Sequence, residues 1–122
     1  MADDKRLPLT PLSFQILVAI ADGPRHGYGI IKEIEQTTGQ PMTSSTGTLY
    51  LAIERLEQEG LIEEEPSRDA RRRYYRLTTL GRRTAAAEAT RLATLLGVVR
   101  GKKLVGSKQL DALLKSRGTK TL

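Results

Sequence analysis

The stretch STGTLYLAIERLEQEGLIEE, residues 45–64, predicts a helix that leads directly into a strand. Four apolar residues recur at helical spacing and form one face of it: Leu49, Ala52, Ile53 and Leu56. Gly60 follows where a helix end commonly needs a left-handed residue. The other face is mainly polar and holds no strong nucleophile beside a base: Ser45, Thr46, Thr48, Tyr50, Leu51 and Arg55. This helix therefore suits binding better than catalysis.

Composition favours one modest domain without cofactors. The chain has 122 residues, of which 39% are hydrophobic and 28% charged, which is ordinary for a globular protein. It has no cysteine and no apolar run long enough to cross a membrane, and the opening MADDKRLPL lacks the apolar segment of a signal peptide. We expect a cytoplasmic protein without disulfides. His26 is the single histidine, so we predict no metal site and no enzyme.

Charge is divided unevenly along the chain. Residues 1–65 hold 5 Lys and Arg against 11 Asp and Glu, a balance of −6, whereas residues 66–122 hold 15 against 3, a balance of +12. A positive field of this kind indicates a nucleic acid or an anionic membrane surface as partner, and a solvated charged face is the alternative.

The elements around the opening stretch predict a mainly α (α+β) fold. Thr10 and Pro11 start a helix that we expect to run to about Asp22, and HGYGIIKEIEQTTG, residues 26–39, predicts a second. After the third helix, residues 60–65 and 71–78 predict two strands joined by a polar turn. Three helices followed by a hairpin, or wing, is the order of a winged helix-turn-helix, whose third helix enters the major groove of DNA.

A long helix from Thr78 predicts a packing partner for its apolar side. Its apolar residues are spaced four, three, four and three apart, close to a coiled-coil seam: Ala85, Ala89, Leu92, Leu96 and Val99. A short amphipathic segment follows after an interruption at residues 101–109. We therefore divide the chain into a winged domain, residues 1–78, and a dimerisation segment, residues 79–122.

Arginines dominate the predicted wing. Five of them fall within nine positions, opposed there only by Asp69: Arg68, Arg71, Arg72, Arg73 and Arg76. Each phosphate they reached would release condensed counterions, so binding would strengthen at low salt. Strand alternation places Tyr75 and Leu77 toward the core. The predicted DNA-binding residues are the following: Ser44, Ser45, Thr46, Thr48, Tyr50, Arg55, Arg68, Arg71, Arg72 and Arg73.

Three of these assignments have a structural alternative. Ser44, Ser45 and Thr46 can cap the third helix as well as meet a phosphate, and we expect both roles among them. Tyr50 lies off the apolar face, so its hydroxyl is predicted to reach a phosphate; packing against the hairpin is the competing use. His26, between two glycines, is predicted to mark a helix entrance rather than a pH sensor or ligand contact.

Three segments together resemble the PadR family of bacterial transcriptional repressors: HGYGI at 26–30, GTLYLAIERLEQEGLI at 47–62 and RRRYYRLTTLG at 71–81. The resemblance spans roughly residues 8–85. It implies a homodimer that presents two recognition helices to a pseudo-palindromic double-stranded DNA operator, with wings on flanking phosphates or the minor groove. The sequence departs from the family in having Leu51 after Tyr50, where relatives have proline, and Ile53 in place of a usual leucine.

The resemblance also implies release of DNA by a small-molecule effector at the dimer interface. The chain has no tryptophan and only 4% aromatic residues, which argues against an aromatic sandwich around such a molecule. A different function stays open for this fold, namely a module whose basic half binds an acidic protein or a membrane surface. Preference for one defined duplex over random DNA would distinguish the two.

Overall fold

The structure, a computed structural model, describes residues 7–42, 45–66 and 71–116. Within these ranges the chain forms five helices and three short strands. Their bounds are α1 Pro11–Ala19, β1 Arg25–His26, α2 Gly27–Thr38, α3 Thr46–Gln58, β2 Ile62–Glu65, β3 Tyr74–Leu77, α4 Thr79–Gly101 and α5 Ser107–Ser116. The predicted mainly helical winged helix-turn-helix is confirmed.

Side-chain hydroxyls cap three of the helices, and the caps at Thr10 and Ser45 are those that the sequence pattern suggests. Thr10 Oγ1 accepts from the Ser13 amide, Ser45 Oγ from the Thr48 amide, and Thr78 Oγ1 from the Gly81 amide. Each cap satisfies an amide that the first helical turn leaves without a partner.

The first helix is shorter than predicted. It ends at Ala19 and not near Asp22, because Ile20 has left helical geometry with φ −108° and ψ 12°. Tight turns replace the helix there, with the Ala21 amide donating to Val18 and the Gly23 amide to Ile20. Apolar residues continue past the end of α1, which is why hydrophobicity alone overestimated its length.

The core lies where α1, α2 and α3 meet the sheet. Its fully buried aliphatic side chains come from each of these elements and from the entry to β2: Ile16, Leu17, Ile20, Ile30, Leu49, Ile53, Leu56, Leu61 and Ile62. Tyr75 of β3 is also buried and Leu77 packs against the cluster, so the predicted inward face of that strand is confirmed.

The sheet is antiparallel with strand order β1-β3-β2. The predicted hairpin of β2 and β3 is confirmed, with Ile62 opposite Leu77 and Glu65 opposite Tyr74. The strand β1 was not predicted, because two residues carry no periodic signal. It pairs Arg25 with Tyr75 and His26 with Tyr74, and so joins the start of α2 to the wing.

The chain divides into two compact units, residues 1–88 and residues 89–122. The first turns of α4 belong to the former, where Gly81 approaches the backbone of Leu61 so closely that a Cβ would lie 1.9 Å from the Leu61 oxygen. Thr84 and Glu88 are buried there. In the latter unit, Arg100 forms an ion pair with Asp111 of α5. No helix within the described ranges is long and apolar enough to span a membrane.

Candidate nucleic-acid interface

Helix α3 has a buried face, an outward face and two flanks between them. Its buried face consists of Leu49, Ile53 and Leu56. Because an α-helix turns once every 3.6 residues, Tyr50 and Thr48 lie on opposite flanks of that face. The side away from the core carries exposed residues, namely Gly47, Leu51, Glu54 and Gln58. Helix α3 therefore offers an outward face bounded by two flanks.

The hydroxyls at the start of α3 serve the helix itself. Ser45 is the N-cap, and its Oγ also lies 2.9 Å from the Thr48 Oγ1. Thr46 is exposed in the first turn. The predicted capping role is thus confirmed for Ser45. Ser44, the other predicted residue here, lies outside the described residues.

His26 links the start of α2 to the wing. Its Nδ1 accepts a hydrogen bond from the Gly29 amide at 3.0 Å, which caps the helix as predicted. Its Nε2 lies 2.9 Å from the Arg72 Nη1. The ring meets Tyr74 edge-on, with centroids 5.2 Å apart. The imidazole thus lies between the backbone amide of Gly29 and the guanidinium of Arg72, two groups that attract an anion.

Tyr50 packs on the beginning of α2. A Cβ on Gly27 would lie 2.1 Å from the Tyr50 Oη and 2.6 Å from its Cζ. A side chain at position 27 would therefore displace the tyrosine ring. The side chain is nevertheless 45% exposed. Of the two uses considered for Tyr50, the packing is observed, although against α2 and not against the hairpin.

A cavity of about 470 Å³, which we call the arginine cavity, brings these elements together. Its lining comes from β1, α2, α3 and the wing: His26, Gly27, Tyr28, Tyr50, Arg71, Arg72, Arg73 and Tyr75. Three of these residues are arginines and none is acidic. Guanidinium groups, hydroxyls and the amide end of a helix are the groups that proteins use to bind phosphate. The arginine cavity thus suits a phosphodiester.

Burial and charge shape the floor of the arginine cavity. Burial raises the pKa of the Tyr75 hydroxyl, the Glu57 carboxylate raises it further, and the adjacent Arg73 guanidinium partly opposes both. The same Arg73 guanidinium interacts favourably with that hydroxyl. Tyr75 therefore stays neutral and helps to hold the guanidinium at the cavity.

Arg76 does not belong with the other wing arginines. Its Nε lies 2.9 Å from Glu63 and its Nη1 3.2 Å from Glu65, both on the neighbouring strand β2. The hydrogen bond to Glu63, followed by that to Glu65, raises the pKa of Arg76. The expectation that only Asp69 opposes the wing arginines is therefore wrong for Arg76, because strand register pairs it with two glutamates.

A second groove borders the other flank of α3. It has a volume of about 630 Å³ and is lined by Thr48, Leu51, Ala52 and Arg55 of α3, together with residues from the start of α1 and the end of α2. Hydroxyls and amides mix with apolar side chains in it. No three histidine, aspartate or glutamate side chains among the described residues are grouped to hold a metal ion.

The structure thus separates the predicted binding residues into two groups. Tyr50 joins Arg71, Arg72 and Arg73 at the arginine cavity, whereas Thr48 and Arg55 line the second groove. Arg68 lies outside the described residues. Sequence reasoning did not include Tyr28 or Gly27, and the only available signal was their place at a helix N-terminus.

The predicted dimer seam falls in both compact units. Ala85 packs against the core of the first unit. In the second unit Leu92, Leu96 and Val99 are half-buried and Ala89 is exposed. Two further large apolar residues of α4, Leu95 and Val98, are also exposed. The second half of α4 therefore has an apolar surface wider than the predicted seam.

Comparison with known proteins connects this architecture to regulators of transcription. Residues 16–87 match the family described as the transcriptional regulator PadR-like family. A curated relative, an uncharacterized 37.1 kDa protein in transposon TN4556 of Streptomyces fradiae, is 40% identical over 84 residues, covering 69% of this chain and 24% of that protein. The chain thus spans about a quarter of that relative's length.

Solved structures share the fold. A transcriptional regulator from Clostridium thermocellum is 29% identical with a TM-score of 0.65, and the match covers 74% of this chain and 87% of that one. Bacillus subtilis PadR in complex with operator DNA is 23% identical with a TM-score of 0.57, covering 66% of this chain and 47% of that one. At 23% identity, the similarity to Bacillus subtilis PadR shows a shared fold and no more.

Proposed function

The chain belongs to the PadR-like family of transcriptional regulators, and on that premise we propose that it binds a double-stranded DNA operator sequence-specifically and acts as a repressor. The arginine cavity carries the proposal. It gathers Arg71, Arg72 and Arg73 beside the N-terminus of α2 and the partly exposed side chain of Tyr50, with no carboxylate in its lining. A phosphate of the DNA backbone fits this set of donors.

Helix α3 supplies the reading element in this proposal. Its first turn has no acidic residue, whereas Glu54, Glu57 and Glu59 follow in and after its second half. The phosphates of DNA repel the acidic C-terminal half of α3 but do not repel its N-terminal turn, which carries no acidic residue. The N-terminal half of α3 therefore enters the major groove, as recognition helices do, while Thr48 and Arg55 face the second groove.

We further propose a homodimer held by the second half of α4, with residues 1–78 acting as the DNA-binding domain and residues 79–122 as the dimerisation segment. The half-buried Leu92, Leu96 and Val99 and the exposed Leu95 support this assignment, since a monomer gains nothing from apolar groups left in water. Two copies would present two α3 helices to the half-sites of a pseudo-palindrome. A small-molecule effector at that interface stays a prediction.

Selection of bound duplexes from a random pool tests the proposed function. The affinity of the full chain for the selected duplex is then compared with that for a scrambled duplex of equal length and composition at the same salt concentration. We expect the selected duplex to bind at least about a thousandfold more tightly. Equal affinity for the two duplexes would contradict sequence-specific regulation and leave only a basic surface.

A further inference from the structure

Leu51 has an unusual position for an apolar side chain. It is 67% exposed, more than any other large apolar side chain described in the first compact unit. It lies on the outward face of α3, beyond the flank of Tyr50, and is also one of the residues that line the second groove. Under the proposed function, this is the part of the protein that faces the edges of the base pairs.

The preceding turn of α3 gives Leu51 room to reach a base. Side chains on a helix lean toward its N-terminus, so Leu51 extends over the turn that contains Gly47, four residues earlier. Around Gly47 there is open space, with Ser45 Oγ the nearest atom to a Cβ built there, at 3.9 Å. The absence of a side chain at Gly47 lets the helix approach the floor of the groove, with Leu51 foremost.

An isobutyl group cannot exchange hydrogen bonds with a base. The group it can bury in the major groove is the 5-methyl of thymine, which no other base of ordinary DNA carries. We propose that Leu51 is a specificity-determining residue that selects thymine in each half-site by packing on this methyl group. The inference rests on the proposed function and adds to it the base that α3 selects.

Deoxyuridine tests this contact, because it pairs as thymidine does but lacks the methyl group. Each thymine of the selected duplex is replaced singly by deoxyuridine, and the affinity of the full chain is measured for every duplex. We expect about a fourfold loss of affinity at the thymine that Leu51 contacts, the value for one buried methyl group. A symmetric pair of replacements should give roughly a fifteenfold loss.

The variant Leu51→Ala should bind the thymine and deoxyuridine duplexes equally. Leu104→Ala is the matched control, since Leu104 is 72% exposed and lies in the second compact unit. This control variant should keep the ratio of affinities for the thymine and deoxyuridine duplexes that the unmodified protein shows. Both substitutions are at exposed positions, so folding is not expected to obscure the result.

The outcomes separate the two proposals. If the unmodified protein prefers the selected duplex yet tolerates deoxyuridine at every thymine, the role of Leu51 is refuted and sequence-specific binding stands. If Leu51→Ala still distinguishes the two bases, another residue contacts the methyl group and the assignment is likewise wrong. If no duplex is preferred over a scrambled one, the proposed function fails and the inference fails with it.

Discussion

Arg72 of the wing lies 2.9 Å from the imidazole of His26, whose other nitrogen caps α2. The His26 side chain thus connects the N-terminus of α2 to the residues that precede β3. The strand pairing of His26 with Tyr74 places the backbone for this contact. The strand pairing beside the arginine cavity therefore helps to hold Arg72 in place before DNA arrives.

Substitution of His26 should separate its capping role from its contact with Arg72. His26→Ala is expected to lower the free energy of unfolding by about 1 kcal/mol, because the Gly29 amide loses its acceptor. His26→Asn should unfold near the midpoint of the unmodified protein, since asparagine is a good N-cap. Urea denaturation measures both; equal losses in the two variants would show that the cap is not what His26 contributes.

Gly27→Ala should conflict with the ring of Tyr50. We expect a loss of about 1–3 kcal/mol in the free energy of unfolding, the usual cost of overpacking. Tyr50→Ala in the same chain should recover most of it, and the coupling is read from a double-mutant cycle. Independent, additive effects of the two changes would mean that the close approach at α2 is not energetically important.

The double variant Arg71→Ala/Arg72→Ala should weaken binding to every duplex sequence. The slope of the logarithm of affinity against the logarithm of salt concentration should become shallower by about 0.9 for each DNA phosphate that the variant no longer neutralises. Arg76→Gln is the matched control, because Glu63 and Glu65 already pair with Arg76. An unchanged slope in the double variant would show that Arg71 and Arg72 do not bind phosphate.

Alanine substitution at two glycines of α4 should change the stability of the protein in opposite directions. Gly81→Ala places a Cβ against the Leu61 carbonyl and should cost about 3 kcal/mol of stability. Gly97→Ala meets open space within the same helix and should stabilise the protein by about 1 kcal/mol. Thermal and urea unfolding test the pair. A harmless Gly81→Ala would contradict the close contact between α4 and the chain entering β2.

Leu95→Lys should dissociate the proposed dimer. Leu95 is 52% exposed, so a lysine there spares the protomer but introduces charge into the apolar interface. Thr94→Lys, an exposed position on the side of α4 opposite the seam, should leave the dimer intact. Analytical ultracentrifugation gives the mass of each variant. A monomeric unmodified protein, or a dimeric Leu95→Lys, would refute the assignment of this surface.

Sequence patterns were most informative where the physical signal is local. Caps such as Thr10 and Ser45, and the inward direction of Tyr75, follow from hydrogen-bonding capacity and strand alternation. The winged helix followed from the order of those elements. Such signals report on a few neighbouring residues, which is why the helices and the hairpin could be predicted.

Contacts between distant segments escaped the same reasoning. Pairing of β1 with β3, and of Arg76 with Glu63, depends on strand register, which no short window contains. Tyr50 against Gly27 joins residues 23 positions apart. The candidate site was therefore predicted in composition but not in arrangement, and its division between the arginine cavity and the second groove emerged only in three dimensions.

The pairing of Arg76 with β2 also bears on how the protein meets a polyanion. In the strand order β1-β3-β2, the glutamates of β2 occupy one edge of the sheet, while His26 and the arginine cavity lie toward the other. This division of charge across the sheet would favour encounters in which the cationic edge of the sheet meets the polyanion first. Ionic strength should consequently act on the association rate more strongly than on the lifetime of the complex.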